Sequence, residues 1–124
     1  KPKKVLPQKT VSVLLLKNPQ GQIQLQQRPA KGIWGGLWSL PEYAHLTALH
    51  AHLALSGLPI NTQALPTIKH VFSHYKLSIE PHLLQLKQQP TKVAENDQNR
   101  WYDAAQLHTI GLATPIKKLL ENNQ

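Results

Sequence analysis

The stretch from Gly36 to Leu58 contains one carboxylate, Glu42, which precedes a segment rich in leucine, alanine and histidine. Five residues separate Gly36 from Glu42, and Gly57 with Leu58 closes a segment of helical character. A divalent ion such as Mg²⁺ takes hard oxygen ligands, which alanine and leucine side chains cannot supply. Because Glu42 is the single carboxylate between Gly36 and Leu58, we predict no catalytic residue and no metal site here.

The same stretch resembles the Nudix box of enzymes that hydrolyse nucleoside diphosphate compounds. That pattern runs glycine, five residues, glutamate, seven residues, and then arginine-glutamate-apolar-x-glutamate-glutamate-x-glycine-apolar. Four of its positions are matched, namely Gly36, Glu42, Gly57 and Leu58. Residues 50–55 read HAHLAL and contain no carboxylate. The resemblance therefore implies a Nudix-like scaffold that serves another purpose.

Histidine and cysteine offer no replacement for the missing carboxylates. His50 and His52 lie two residues apart, so they do not share a helix face and are poorly placed to hold one ion. The chain contains no cysteine, which excludes disulfides, thiolate zinc, iron–sulfur ligation and a thiol nucleophile. We therefore expect no cofactor in this chain.

Composition favours a single domain with a polyanionic partner. The 124 residues suffice for one buried core, and the hydrophobic fraction of 40% is ordinary for a globular protein. With 14 Lys and Arg against 6 Asp and Glu, the net charge is +8. Such a basic balance favours a polyanion as the partner, with solubility alone as the alternative.

The order of the sequence patterns predicts an α+β domain in which a mixed sheet lies between helices. Residues 1–9 are basic, contain two prolines and are predicted to end an interdomain linker, so that the domain covers 10–124. Two strands, 10–16 and 22–26, are predicted to form a hairpin around the turn Asn18-Pro19-Gln20-Gly21.

Further elements follow from helical and strand spacing. A helix is predicted to begin near Thr47 as its cap, to use Leu46, Leu49 and Leu53 as its apolar face, and to stop at Gly57. Strands are predicted over 65–74, 76–86 and 100–102, with a helical turn after Asp103 and a final helix from Thr114. Residues 88–99 are polar and expected to be mobile.

A second resemblance rests on short motifs in a particular order. They are residues 27–29 (QRP), 32–38 (GIWGGLW), 40–41 (LP), 70–74 (HVFSH), 101–102 (WY) and 111–116 (GLATPI). In this combination the chain resembles the C-terminal, MutT-like domain of the MutY family of adenine DNA glycosylases. The resemblance implies a part of a base-excision repair enzyme that removes adenine mispaired with 8-oxoguanine. The start at Lys1 and the lack of methionine also suggest a fragment of a longer protein.

The resemblance also implies roles and partners. Phe72 would supply a wedge or stacking face, Ser73 would hydrogen-bond 8-oxoguanine, and His74 would order the loop. The family's catalytic residues and four-cysteine 4Fe–4S cluster belong to an N-terminal domain absent from this sequence. The implied partners are double-stranded DNA with 8-oxoguanine:adenine mispairs and that catalytic domain, with repair or replication proteins as further candidates. We expect a monomer in the bacterial cytoplasm, associated with the nucleoid through DNA.

Cations for the DNA backbone are predicted at Arg28, Lys69 and Lys76, although a solvated surface is an equal alternative for each. Phe72 could instead be a core residue, and Ser73 and His74 could be ordinary turn residues. The tryptophan-rich segment 34–38 is predicted to cover the sheet rather than to form a ligand cage.

Two other functions stay open at this point. The first is an active Nudix hydrolase with an altered metal site, and the second is a protein-docking module for a sliding clamp or a mismatch-repair protein. No apolar run approaches the roughly 18 residues that span a membrane, so no membrane partner is expected.

Overall fold

A computed structural model describes residues 6–88 and 99–123, and it confirms the predicted α+β fold. The elements in chain order are β1 (Gln8–Lys17), β2 (Ile23–Gln27), β3 (Trp38–Ser39), β4 (Glu42–Tyr43), α1 (Leu46–Leu55), β5 (Gln63–Ala64), β6 (Ile68–Val71), β7 (Lys76–Gln85), β8 (Asn99–Tyr102), a 3-10 helix (Ala104–Thr109) and α2 (Thr114–Asn122). The first strand begins two residues before the predicted domain start at Thr10.

The sheet is mixed, as predicted, and β1 lies at its centre. β1 pairs in parallel with β7 over ten positions, from Gln8 opposite Lys76 to Lys17 opposite Gln85. β1 also pairs antiparallel with β2 and with β4. Two short strands, β5 and β6, pair antiparallel with β7. On the other side of β1, β8 pairs antiparallel with β2. This arrangement brings segments far apart in sequence to one sheet.

The turn between β1 and β2 is built around the Asn18 side chain. Its Oδ1 accepts hydrogen bonds from the backbone N–H groups of Gln20 and Gln22, and its amide donates to Gln22 Oε1. Gly21 adopts a φ of 82°, which glycine tolerates and most other residues do not. The predicted hairpin is thus confirmed, and the buried Asn18 side chain has its hydrogen-bond partners within the turn itself.

Side chains of β1 alternate between two apolar clusters, one on each face of the sheet. Val13 and Leu15 face the cluster that also contains Ile116, Leu119 and Leu120 of α2. The neighbouring residues Leu14 and Leu16 face a second cluster with Leu49 and Leu53 of α1. Because successive side chains of a strand point to opposite faces, a continuous apolar run serves both clusters. The sheet therefore lies between the two helices, as predicted.

Helix α1 begins one residue after His45, not at a Thr47 cap. The extended backbone of His45 lets its Nδ1 accept the Ala48 N–H at 3.2 Å, so the predicted Thr47 cap is wrong. Leu49 and Leu53 are buried as predicted, whereas Leu46 is 37% exposed because it occupies the first helical position.

The end of α1 is confirmed at Gly57, which has a φ of 71°. Its N–H donates to the Ala54 carbonyl, and the Leu58 N–H donates to the Leu53 carbonyl at 2.9 Å. Two such bonds around a left-handed residue form a Schellman motif. The glycine and the apolar residue of the box therefore have a purely structural use in this chain.

The remaining predicted elements are present with adjusted ends. The hairpin of β6 and β7 is confirmed, but its first strand begins at Ile68 because Leu65 instead donates its N–H to the Pro81 carbonyl. The helical turn after Asp103 is a 3-10 helix, and the Asp103 N–H donates to Gln106 Oε1. Of the segment 88–99 predicted to be mobile, residues 89–98 lie outside the described residues. Neither α1 nor α2 has the length required to cross a bilayer.

His82 is a buried titratable group in the sheet. It lies on β7, is 7% exposed, and its Nε2 has no hydrogen-bond partner. Burial lowers the pKa of His82, and the charge of His50 lowers it further, while Glu80 acts in the opposite direction. The folded state therefore favours the neutral imidazole.

We predict that His82→Leu weakens the pH dependence of stability. The pKa of His82 is lower in the folded state, so the unfolded chain binds more protons as the pH falls through about 6.5 and below. Urea unfolding at several pH values should show parent stability falling in this window, by at most about 1.4 kcal/mol per pH unit from this group. The slope for His82→Leu should be shallower than the slope for the parent. Equal slopes for parent and His82→Leu would contradict the assignment.

Candidate nucleic-acid interface

The turn that joins β6 to β7 presents the predicted contact residues at the surface. Val71 opposite Lys76 is the last pair of the ladder, and the Phe72 N–H donates to the Tyr75 carbonyl at 2.8 Å to close the turn. Ser73 and His74 form the tip and are both exposed. The hydroxyl and imidazole are therefore available to a partner.

Phe72 is half-buried and held by other rings. Its ring centroid lies 4.6 Å from that of His70, 4.9 Å from Tyr75 and 5.3 Å from Trp34. The ring also packs against the apolar cluster on the α2 side of the sheet. In the free chain the Phe72 ring therefore packs against the protein. Its position is intermediate between the predicted exposed wedge and the alternative of a core residue.

Lys69 and Lys76, two of the three cations predicted to contact the DNA backbone, lie near the tip on one face of the sheet. Lys76 is opposite Val71, and Lys69 is opposite Ser78, two residues further along β7. Side chains two residues apart in a strand share a face. Lys69 and Lys76 are both exposed and therefore form a cationic edge next to Ser73 and His74.

A third cation reaches the hairpin from the other end of the chain. Lys9 is opposite Leu77 in the parallel ladder, and its Nζ lies 4.6 Å from the centre of the Tyr75 ring. Such a contact is a cation–π interaction. The sequence alone did not predict Lys9 as a contact residue. Lys9 comes near the tip because β1 pairs with β7, which is distant in sequence.

Arg28 has partners inside the protein. Its Nη1 lies 2.7 Å from Glu42 Oε2, and its Nε donates to the Ile33 carbonyl at 3.0 Å. The side chain is 24% exposed. Arg28 thus ties the glycine-rich loop, residues 28–37 between β2 and β3, to β4, and a contact with DNA would compete with these bonds.

The outer face of α1 carries the positions where the Nudix pattern has glutamates. Here Ala51, Ala54 and Leu55 occupy them, and all three are exposed, Leu55 at 88%. Within residues 6–88 and 99–123, no three His, Asp or Glu side chains come together as a metal site would require. The donor set of this face does not fit Mg²⁺.

An open cavity of about 430 Å³ lies between the C-terminal end of α1 and the sheet. Its polar lining includes Gln24, Glu42, Tyr43, His52 and Asn99. The rings of Tyr43 and His52 are 5.6 Å apart, and burial raises the pKa of Tyr43. Among the residues that the structure describes, Glu42 is the sole carboxylate in this lining, and it is already paired with Arg28.

Comparison with known proteins agrees with this geometry. Residues 12–122 match the model of the NUDIX domain family, and the chain belongs to that family. The MutT protein of Methanosarcina mazei Go1 has the same fold, with a TM-score of 0.71 at 14% identity over 97% of this chain and 95% of that one.

Particular relatives confirm the resemblance to the C-terminal domain of MutY-type enzymes. The chain is 31% identical over 121 residues to the adenine DNA glycosylase of Buchnera aphidicola from Acyrthosiphon pisum, covering 97% of this chain and 34% of that protein. The human adenine DNA glycosylase is 31% identical over 108 residues, which cover 79% of this chain and 20% of the human one. The chain thus spans about a third or less of these relatives.

A solved structure supports the same relationship. The C-terminal domain of mouse MUTYH, determined in complex with human PCNA, superposes with a TM-score of 0.70 at 25% identity. The match covers 90% of this chain and 84% of the mouse domain.

We predict that a double-mutant cycle will detect coupling between Arg28 and Glu42. Because both side chains are partly exposed, water screens the pair, and the coupling should be about 0.5 kcal/mol. Arg28→Ala alone should destabilise more than Glu42→Gln, since it also removes the bond to Ile33. Urea unfolding of the two single variants and the double variant measures this, with Lys69→Ala as an exposed control. A coupling of zero would contradict a stabilising Arg28–Glu42 pair in solution.

Proposed function

We propose that this chain is the lesion-recognition domain of an adenine DNA glycosylase that removes adenine paired with 8-oxoguanine in base-excision repair. The observation that carries the proposal is the exposed Ser73-His74 tip beside Lys69 and Lys76, on a Nudix scaffold with no cluster of three metal-ligating side chains within residues 6–88 and 99–123. The similarity to proteins named adenine DNA glycosylase supports it. The remaining part of the longer protein would hold the catalytic residues and the 4Fe–4S cluster implied by the family.

Ser73 is suited to distinguish 8-oxoguanine from guanine. Oxidation adds a carbonyl at C8 and places a proton on N7, so an acceptor becomes a donor. A serine hydroxyl can both donate and accept, and its position at an exposed tip lets it approach a base edge. One good contact of this kind discriminates by about 1–3 kcal/mol.

The neighbours of Ser73 supply the other parts of recognition. The Phe72 ring offers a stacking surface for a base, because aromatic side chains that enter a disturbed base stack gain contact with every base type. His74 lies on the other side of Ser73 and would order the tip or contact a phosphate. Lys69 and Lys76 would neutralise phosphates of the duplex without reading its sequence.

Binding should therefore combine a general electrostatic part with a specific part. The net charge of +8 favours association with any duplex, and each phosphate contact contributes about −0.9 to the slope of log affinity against log salt. Selectivity for the lesion would come from the tip alone. This division allows the two parts to be tested separately.

The chain itself would bind and not catalyse, while the glycosylase part cleaves the N-glycosidic bond of adenine. A sliding clamp is a further candidate partner, since the similar mouse domain was solved with human PCNA. In a bacterial cell the protein would act in the cytoplasm on nucleoid DNA.

We predict that Ser73→Ala in the full-length protein reduces the preference for 8-oxoguanine:adenine over guanine:adenine by roughly 5- to 150-fold. The reason is the loss of the hydroxyl at the base edge, with the phosphate contacts left intact. Dissociation constants on duplexes with a non-cleavable adenine analogue, at one fixed salt concentration, measure the ratio.

The matched control is Thr67→Ala, which removes an exposed hydroxyl just before β6 begins and should leave the ratio at the parent value. Ser73→Ala with the parent ratio would show that the tip does not recognise the lesion.

A further inference from the structure

Trp34 adopts an unusual backbone conformation. Its φ is 53°, and among residues 6–88 and 99–123 it is the one residue other than glycine with a positive φ. This left-handed conformation brings Cβ close to the following carbonyl oxygen, so bulky residues rarely adopt it. Strained residues of this kind persist where surrounding contacts hold them, often at functional sites.

Hydrogen bonds of the glycine-rich loop hold Trp34 in this conformation. The Leu37 N–H donates to the Trp34 carbonyl at 3.0 Å, and the Gly36 N–H donates to the Pro29 carbonyl at 3.0 Å. At the far end of the loop, the Trp38 N–H donates to the Gly111 carbonyl at 2.8 Å. The loop is thus fixed on both sides of Trp34.

The indole of Trp34 is directed onto the hairpin of β6 and β7. Its ring centroid lies 5.3 Å from that of Phe72 and 5.5 Å from that of His70, and both ring pairs are tilted. Offset and tilted aromatic pairs at such distances are favourable beyond the area that they bury. The contact joins the glycine-rich loop to the residue that immediately precedes the exposed Ser73-His74 tip.

A purely structural explanation would treat Trp34 as a cover for the core. A cover needs apolar area, which a tryptophan in an ordinary backbone conformation also provides, as Trp38 does against Tyr102 at 5.3 Å. The left-handed conformation at Trp34 is therefore better explained by the contact of the indole with Phe72 and His70.

We propose that Trp34 is a positioning residue for lesion recognition, because it holds the Phe72 ring and so presets the backbone of Ser73 and His74 before DNA arrives. A tip that is ordered in advance loses less conformational entropy on binding. The inference rests on the proposed function for its meaning, but the order of the tip can be measured without DNA.

The test compares three substitutions at this site. Trp34→Ala removes the indole and keeps the backbone strain, Trp34→Gly removes both, and Trp34→Phe keeps a ring. In the full-length protein, Ala and Gly should each lower the preference for 8-oxoguanine:adenine over guanine:adenine by roughly three- to tenfold. The Phe variant should keep most of the preference, and affinity for the guanine:adenine duplex should be unchanged in all three.

Three results would overturn the proposal. If Trp34→Gly kept the preference that Trp34→Ala loses, the role of Trp34 would be limited to loop geometry. If a variant lost affinity equally for both duplexes, the cause would be general unfolding. An unaltered preference in the Ala variant would also refute it. The matched control is Trp38→Phe, at the other end of the same loop, which should keep the parent preference.

A second measurement separates this proposal from the proposed function. In the free 124-residue chain, ¹⁵N relaxation of the Ser73 and His74 amides should report an ordered tip in the parent and a more mobile one in the Ala and Gly variants. If the parent showed no lesion preference while the tip became more mobile in the two variants, the proposed function would be refuted. The role of Trp34 in ordering the tip would still be supported. Unchanged relaxation in both variants would refute the positioning role alone.

Discussion

The parallel pairing of β1 with β7 is the interaction on which the rest of the structure depends. Its ten-residue register places the two apolar faces of β1 against α1 on one side and α2 on the other. It also fixes where β7 begins, since the Lys76 N–H donates to the Pro7 carbonyl at the first position of the ladder. The hairpin tip therefore projects from the most firmly paired part of the sheet. A surface that must inspect a base edge benefits from such a rigid support.

The Nudix pattern in this chain separates structural from catalytic requirements. Gly57 and Leu58 are retained, and they form the Schellman motif that ends α1. Glu42 is retained too, but it pairs with Arg28 and so links β4 to the glycine-rich loop. Ala51, Ala54 and Leu55 occupy the positions where the Nudix pattern has glutamates, and all three are exposed. Glutamates at these positions are therefore not needed for core packing. A scaffold of this family can thus keep its fold without glutamates at positions 51, 54 and 55.

Local patterns in the sequence were sufficient to predict most elements and the location of the tip. The Asn18 turn, the stop at Gly57 and the apolar faces of both helices each depend on residues close together in sequence. The His45 cap was missed because threonine is the commoner cap and histidine competes only in a suitable backbone conformation. The docking of Phe72 on Trp34 and the approach of Lys9 to Tyr75 depend on contacts between distant segments, for which a single sequence carries no local signal.

The proposed function requires that this Nudix domain recognise an oxidised purine with the tip of the β6–β7 hairpin. Amide chemical-shift mapping of the ¹⁵N-labelled chain with matched duplexes tests it most directly. Shifts that differ between the 8-oxoguanine:adenine and guanine:adenine duplexes should be confined to Phe72, Ser73 and His74 and their immediate neighbours. Differences centred on the cavity around Tyr43 and His52, with none at the tip, would contradict the account.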